Sequence, residues 1–473
     1  MNWTLALPEI LLAVSGLAIL VAGVLPRRDM TFPCTMLVLG AFVLSGAFVL
    51  AQPDGLAFGG QYISDAFARF MKVLMLGGAG LALLLGLDWN RAEGLSRFEY
   101  PVLVLFATLG MMVVISAHDL MSLYIGLELL SLPLYVIAAF DRDNPRSAEA
   151  GLKYFVLGAL SSGLTLYGMS LIYGFAGTTN FAQLAETLGD PEGVSAGVVV
   201  GIVFLIAGLC FKLAAVPFHM WTPDVYEGAP TSAVAYFATA TKVGAIAAMV
   251  RVLAGPFGGA EEQWQQVIVL ASIASMILGA FAAIGQANIK RLLAYSWISH
   301  TGFVLMGLAV GTEAGLRGVL VYTPIYLMMS LGAFGVIVAM RRNGRAVEGV
   351  DDLAGLGRTD PGMALAMAIF MFSMAGIPPL AGFFAKLYVL LPAVEQGFWT
   401  LAVIAVLSSV VSAYYYLRVV KVMYFDAPMP GFDARPAGVS FVLVGTGAFT
   451  LLFFLLPAPL LSAARQAVAA LIG

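Results

Sequence analysis

Lys212-Leu-Ala-Ala-Val-Pro217-Phe-His219-Met-Trp221-Thr-Pro223-Asp224-Val-Tyr-Glu227-Gly-Ala-Pro-Thr231 continues an apolar run that begins near residue 194 and reaches Gly208-Leu-Cys-Phe211. A lysine at the centre of a membrane helix costs about 2.5–3.5 kcal/mol on insertion scales, and a proline leaves a backbone carbonyl one turn back without its donor. Such a combination persists where protein or a water-filled cavity surrounds it. The stretch therefore predicts a broken transmembrane helix, interrupted at Pro217, that holds a proton-carrying lysine at Lys212.

Working outward, the rest of the chain has the same character. Its 473 residues are 61% hydrophobic and only 11% charged, against roughly 25% charged in a soluble domain. Mean hydropathy is +0.94. Repeated apolar runs of about 20 residues predict one all-α polytopic membrane domain over 1–473 rather than a string of soluble domains. A net charge of −3 gives no basis for a nucleic-acid partner. Cys34 and Cys210 both sit in apolar runs and cannot supply an iron–sulfur cluster, which takes about four thiolates. His118, His219 and His300 pair at no helical spacing, which leaves haem ligation without support. No GxxxxGK[ST] run, GxSxG elbow or paired-histidine metal motif occurs, so nucleotide hydrolysis, acyl transfer and a metal site are not indicated. The opening residues lack a basic n-region, and the first span is expected to stay in the mature protein.

Hydropathy places spans at about 8–25, 33–51, 65–87, 99–117, 119–140, 148–173, 194–216, 230–253, 265–286, 290–310, 314–340, 361–391, 399–422 and 437–458. That is about fourteen transmembrane helices with both termini on one side. With the N-terminus outside, fifteen Lys and Arg lie inside, among them Arg27, Arg28, Lys290, Arg341, Arg345 and Arg358, and three (Arg251, Arg317, Arg465) lie outside. Cytoplasmic loops carry the excess of positive charge. The expectation is a bacterial-type inner (plasma) membrane protein with both termini on the outer, periplasmic side. The 174–193 connection is expected to include a short amphipathic surface helix, and the Arg341–Arg358 loop to be a solvated inner anchor.

Six Lys and Arg lie deeper within spans. Arg69 is spaced to pair with Asp65 at i, i+4, and Lys72 is near enough to the outer end to snorkel, so both read as interfacial anchors. Lys153 is open between a snorkelling anchor and a relay member. Glu128 is different, about 14 Å into its span and so near the middle of a core about 30 Å thick. Lys242 and His300 are equally central. Each is a candidate for proton transfer, with polar support of helix packing as the plainer role, an even choice for His300. His118 reads as a wet interfacial residue, and His219 beside the break is open between that and a relay.

A second interruption stands at Gly376-Ile-Pro378-Pro379-Leu-Ala-Gly382-Phe-Phe-Ala-Lys386. Two broken spans, five spans apart, are the mark of inverted repeats. The predicted units run over 99–253 and 265–422, and because five is odd they face opposite ways.

Lys212-x4-Pro-Phe-His-x-Trp-x-Pro-Asp224 resembles the motif shared by the antiporter-like subunits of respiratory complex I, the proton-pumping NADH:quinone oxidoreductase, and by multisubunit cation/proton antiporters. Val225-Tyr-Glu-Gly-Ala-Pro-Thr231 is similar to the subunit N branch of that family, and Asn288-Ile-Lys-Arg-Leu-Leu-Ala-Tyr-Ser-Trp-Ile-Ser-His300 and the Gly376–Lys386 segment also match. The resemblance covers nearly the whole chain. It implies proton translocation coupled to electron transfer elsewhere in an assembly, with Glu128 as the buried glutamate, Lys212 its partner, Lys242 the central relay lysine, Lys386 the lysine of the second break and His300 on a helix that supplies a further relay group. It implies no cofactor in this chain, with NADH, flavin, iron–sulfur clusters and quinone held by other subunits, and it implies other membrane-arm subunits and the lipid bilayer as partners. A subunit of a cation/proton antiporter is the alternative, favoured less by the Val225–Thr231 continuation.

Overall fold

The computed structural model describes residues 2–25, 29–189 and 194–472. Arg27 and Arg28 of the inner basic set, and 190–193 of the connection expected to carry a surface helix, lie outside the described residues. The chain is all-α and polytopic: α1 (Leu7–Val24), α2 (Thr31–Ala51), α3 (Ala66–Ala92), α4 (Glu99–Ile115), α5 (Leu120–Ala138), α6 (Pro145–Ala176), α7 (Phe181–Leu188), α8 (Ala196–Leu213), α9 (Trp221–Gly228), α10 (Thr231–Phe237), α11 (Ala240–Ala254), α12 (Glu261–Ile284), α13 (Ile289–Ala309), α14 (Glu313–Ala339), α15 (Leu356–Thr359), α16 (Pro361–Ala375), α17 (Ala381–Glu395), α18 (Trp399–Phe425), α19 (Ala437–Leu452) and α20 (Ala458–Ile472). Among the described residues, twelve helices are long and apolar enough to cross a membrane.

The N-termini are set by side-chain caps. Asp65, Asp119, Asn144, Asn180, Ser195, Asn288, Thr312 and Asp360 each accept from a backbone N–H of the helix that follows. This satisfies donors that the first turn leaves free. Small residues set how closely the helices approach: α6 and α8 pack so tightly that a Cβ on Gly168 would meet the Gly201 carbonyl at 2.6 Å. Span Thr231–Ala254 is wholly buried and α13 and α14 nearly so, whereas α1, α2, α6, α18 and α19 form the apolar outside.

Both expected interruptions are present, between α8 and α9 and between α16 and α17. Each begins with a left-handed residue, Ala214 (φ 59°) or Gly376 (φ 89°). The backbone groups freed there find side chains. Leu213 O accepts from Trp297 Nε1 (2.7 Å) and Thr301 Oγ1 (3.0 Å), Phe211 O from Trp221 Nε1 (3.0 Å), and Val216 N donates to Ser275 Oγ (2.9 Å). At the second break Ala375 O accepts from Lys386 Nζ (3.1 Å) and Ser409 Oγ (3.3 Å), and Gly382 N donates to Ser373 Oγ (2.9 Å).

Several local expectations are corrected. The 230–253 span is not continuous but is interrupted between α10 and α11, where Thr239 has φ −123° and ψ −89°. Helix α20, which the sequence left unassigned, buries Ala464, Ala467 and Val468 and packs on α3 and α14. Arg69 pairs with Asp54 (2.5 Å) rather than Asp65, which is taken by Arg251. Lys72 does not snorkel: its side chain is 1% exposed and paired with Glu9 at 2.5 Å. Arg251, counted among the outer loop residues, is buried, and so is Lys290, which is held by Glu348 at 2.5 Å. Strands β1 (Gly55–Ala57) and β2 (Tyr62–Ser64) pair before α3, and the Arg341–Arg358 segment holds a separate pair, β3 (Arg341–Arg342) against β4 (Arg345–Ala346), with Arg341 on Glu93 and Arg342 on Asp352 (3.2 Å). Arg345 and Arg358 remain exposed.

Candidate functional site

The first break places Lys212 in the last turn of α8, where Nζ donates to Ser131 Oγ of α5 at 2.5 Å. Ser131 in turn donates to the Leu127 carbonyl. Glu128 stands three residues from Ser131, a spacing that puts both on one face of α5. Its carboxylate accepts from Ser162 Oγ of α6 at 2.6 Å, and Tyr124 OH lies 3.1 Å from that hydroxyl. Lys212 thus reaches α5 at Ser131, one helical turn from Glu128, and the two charges bond to separate hydroxyls, with no direct ion pair between them. Both are half-buried rather than enclosed.

Lys242 opens α11 just past the Thr239 interruption and is buried. Its ammonium lies over three aromatic rings, Trp221 (5.0 Å), Trp297 (5.2 Å) and Tyr226 (5.9 Å). Each such contact offsets about 0.5–2 kcal/mol, so the box compensates a large part of the cost of placing this cation at depth. Trp297 continues the line, at 4.5 Å from the Tyr326 ring, and Tyr326 is 5.2 Å from His300.

His300 is enclosed between two tyrosines, Nδ1 against Tyr322 OH and Nε2 at 3.1 Å from Tyr416 OH, which reaches Ser296 Oγ at 2.5 Å. Phe303, one turn on, packs against His300 and lies 5.1 Å from Lys386 Nζ. Lys386 also donates to Ser409 Oγ (2.7 Å) and borders a cavity of about 300 Å3 that Gly376 and Ala405 help to line. Lys212 Nζ lies 5.8 Å from the Phe211 ring, which is 5.5 Å from Trp221 of the Lys242 box, so Lys212, Lys242, His300 and Lys386 lie along one series of side-chain contacts that passes through both interruptions.

Lys153 is apart from this line. Its Nζ is 2.8 Å from both Glu149 and Asp224, and Asp224 is 2.8 Å from Arg291, which holds Glu227 at 2.9 Å. These groups line an open cavity of about 250 Å3. His219 lies in the first break, half-buried, with Nδ1 unpartnered. Pro217, Pro378 and Pro379 all fall in the interruptions, and the Val216–Pro217 and Pro378–Pro379 peptides are cis. Among the described residues no group of three or more His, Cys, Asp or Glu could hold a metal ion.

Two buried ionic groups were missed in the sequence. Arg251 meets Asp65 with two hydrogen bonds (2.5 and 3.0 Å), and Lys72 meets Glu9 and Tyr62. Partners so far apart in sequence leave no periodic signal; the place of Lys72 within an apolar run was a hint, whereas Arg251, at the end of the 230–253 span, gave none.

Such a bundle, with cations strung between interrupted helices, is of the ion-translocating membrane class. Residues 117–412 match the NADH:quinone oxidoreductase/Mrp antiporter transmembrane family, and the chain belongs to it. It is 60% identical to NADH-quinone oxidoreductase subunit N of Granulibacter bethesdensis, over 100% of both chains, and 58% identical to that of Rhodospirillum rubrum, over 98% and 97%. A chain of respiratory complex I from Thermus thermophilus superposes with a TM-score of 0.82 at 34% identity, covering 96% of this chain and 98% of that one. A chain of the Mrp complex from Dietzia shares the fold, with a TM-score of 0.88 at 24% identity over 100% and 98%. The protein is a multi-pass bacterial inner-membrane protein.

Proposed function

We infer that this chain is a membrane-arm subunit of proton-translocating NADH:quinone oxidoreductase, which carries protons while electron transfer takes place in other subunits of the assembly. The observation that carries this is the series of side-chain contacts joining Lys212, by way of Phe211 and Trp221, to Lys242, His300 and Lys386 through two helix interruptions. Glu128, Lys212, Lys242 and Lys386, four buried or half-buried charged centres, would each cost several kcal/mol in an inert scaffold. Whole-length identity to relatives named for complex I favours that assembly over a cation/proton antiporter, to which the likeness is one of fold.

In the proposed mechanism Glu128 controls the protonation of Lys212, Lys242 receives the proton, and His300 passes it to Lys386 beside the second cavity. The Lys153, Glu149, Asp224 and Arg291 group and His219 are proposed as the intake from the inner face. The partners are the other membrane-arm subunits and the bilayer; NADH, flavin, iron–sulfur clusters and quinone belong to the rest of the assembly.

The finer architecture is also proposed. Helix α4 and the broken pair α16 and α17, added to the twelve long spans, make fourteen crossings. Two inverted units, 99–253 and 265–422, are supported by matching packing. In each unit the first and second spans pack closely (α4 on α5, α12 on α13), as do the third and the broken fourth (α6 on α8, α14 on α17). Both termini are placed on the outer side.

The test uses the assembled complex in proteoliposomes, with Lys242→Ala and Lys386→Ala. At equal assembly each is expected to lose most proton uptake per NADH oxidised. Native uptake by both would overturn the relay.

A further inference from the structure

Outside the two proposed repeat units, α1 and α3 carry a second buried ionic centre. Glu9 stands in the first turn of α1, and Lys72 two turns into α3, near the ends of both helices that face the side where the chain begins. Lys72 Nζ is 2.5 Å from Glu9 Oε1 and donates to Tyr62 OH at 2.9 Å, and Tyr62 OH is 3.0 Å from Glu9 Oε2 and 2.8 Å from the Leu5 carbonyl. The side chains are 1% and 8% exposed. A buried pair of this kind is weak support for a fold, because well-packed apolar residues serve as well or better.

Its setting distinguishes it from a packing device. Glu9 and Tyr62 border a cleft of about 350 Å3 open between α1, α4 and α5, whose remaining polar lining is Gln61, Ser116 and Ser122. Ser116 Oγ is fully buried and has no partner. On the opposite side the centre is tied to the Lys242 helix. Asp65 and Lys72 are seven residues apart on α3, hence on one stripe, and Asp65 holds Arg251 of α11. Arg251 is nine residues, about 14 Å, along α11 from Lys242. Besides Glu9 and Tyr62, which face Lys72, the charged and titratable groups around this stripe are Asp65, which caps α3, Arg251 of α11, and His118 and Asp119 at the start of α5.

We propose that Glu9, paired with Lys72 and bonded to Tyr62, is a proton-transfer site that connects the interior of this bundle to the cleft on its N-terminal side. A proton arriving on the Glu9 carboxylate makes the neutral acid while the Lys72 ammonium keeps its charge. The proton then leaves Glu9 for a water in the cleft, which restores the carboxylate and the pair. Only O–H bonds form and break, and no electron moves. Arg251 and Asp65 are positioning residues that hold α3 against α11.

This inference rests on the chain being a proton carrier, so the experiment includes a variant that tests the carrier alone. Proton uptake per NADH is measured in proteoliposomes of the whole complex bearing Glu9→Gln, Glu9→Asp, Tyr62→Phe, the neutral pair Glu9→Gln with Lys72→Met, or Lys242→Ala. Loss of uptake in Glu9→Gln and Tyr62→Phe, with recovery in Glu9→Asp, is expected, since a role confined to packing would not respond to the return of a carboxylate. Native uptake by the neutral pair, or by Tyr62→Phe if that pair does not assemble, while Lys242→Ala is impaired would overturn the site. Native uptake by Lys242→Ala as well would overturn the carrier itself.

Discussion

Lys212 and Lys242 show how one residue type is held in two ways in one bundle. Lys212 is anchored to a hydroxyl, Ser131 Oγ, one turn from Glu128, whereas Lys242 is boxed by ring faces that attract a cation but accept none of its hydrogen bonds in the ordinary sense. The first arrangement allows a carboxylate on the same helix face to alter the charge on the lysine. If Glu128 comes within about 7 Å, an effective dielectric near 20 gives about 2.4 kcal/mol, enough to change the proton occupancy of an amine more than tenfold. An arginine keeps its proton under all conditions and so cannot be switched. Lys212→Arg is therefore expected to fail in proton uptake nearly as badly as Lys212→Ala, measured at equal assembly. A Lys212→Arg complex that pumps at the native rate would make Lys212 a fixed charge.

At the scale of elements, the proposed relay follows the places where helices are interrupted, and the three interruptions were not equally legible. Pro217 and the Pro378-Pro379 pair with Gly376 announce themselves, because proline removes a donor and glycine permits a left-handed end. The Thr239 interruption has neither. There Thr239 Oγ1 donates to Ala235 O (2.5 Å) and Thr241 Oγ1 to Phe237 O (2.6 Å), side-chain bonds that also occur along unbroken helices such as α4 at Thr108. The break depends on the surrounding packing, which no local pattern records. The same limit hid the partners of Lys72 and Arg251, while Glu128, Lys242 and His300 could be singled out because a polar group far from both span ends needs no partner to be conspicuous, and Lys386 because it follows the Pro378-Pro379 interruption in its span. The second break yields a stability prediction. A Cβ on Gly382 would run into the Ser373 carbonyl across the interruption. Gly382→Ala is expected to destabilise the chain by about 1–3 kcal/mol, the usual cost of overpacking, and to lower the yield and thermal midpoint of the assembled complex. An unchanged midpoint would mean that α17 moves freely against α16.

At the scale of the whole molecule the basic residues that argue for orientation are not all surface charges. Lys290 and Arg251 are buried and neutralised by Glu348 and Asp65, one from each side of the fifteen-to-three comparison. Discounting one from each leaves fourteen to two, so the bias is undiminished. The exposed Arg345 and Arg358 lie between the end of α14 and the start of α16, whereas α20 follows α19 and packs on α3 and α14. The proposed fourteen crossings would return the C-terminus to the side of the N-terminus. Thiol labelling can read this directly, because the native Cys34 and Cys210 are buried. Arg345→Cys is expected to react with a membrane-impermeant maleimide only from the inner face, and Gln466→Cys, at an exposed position of α20, only from the outer face. Labelling of both from one side would require an even number of crossings between them, and so the loss of one of the α16–α17 pair, α18 or α19 as a span.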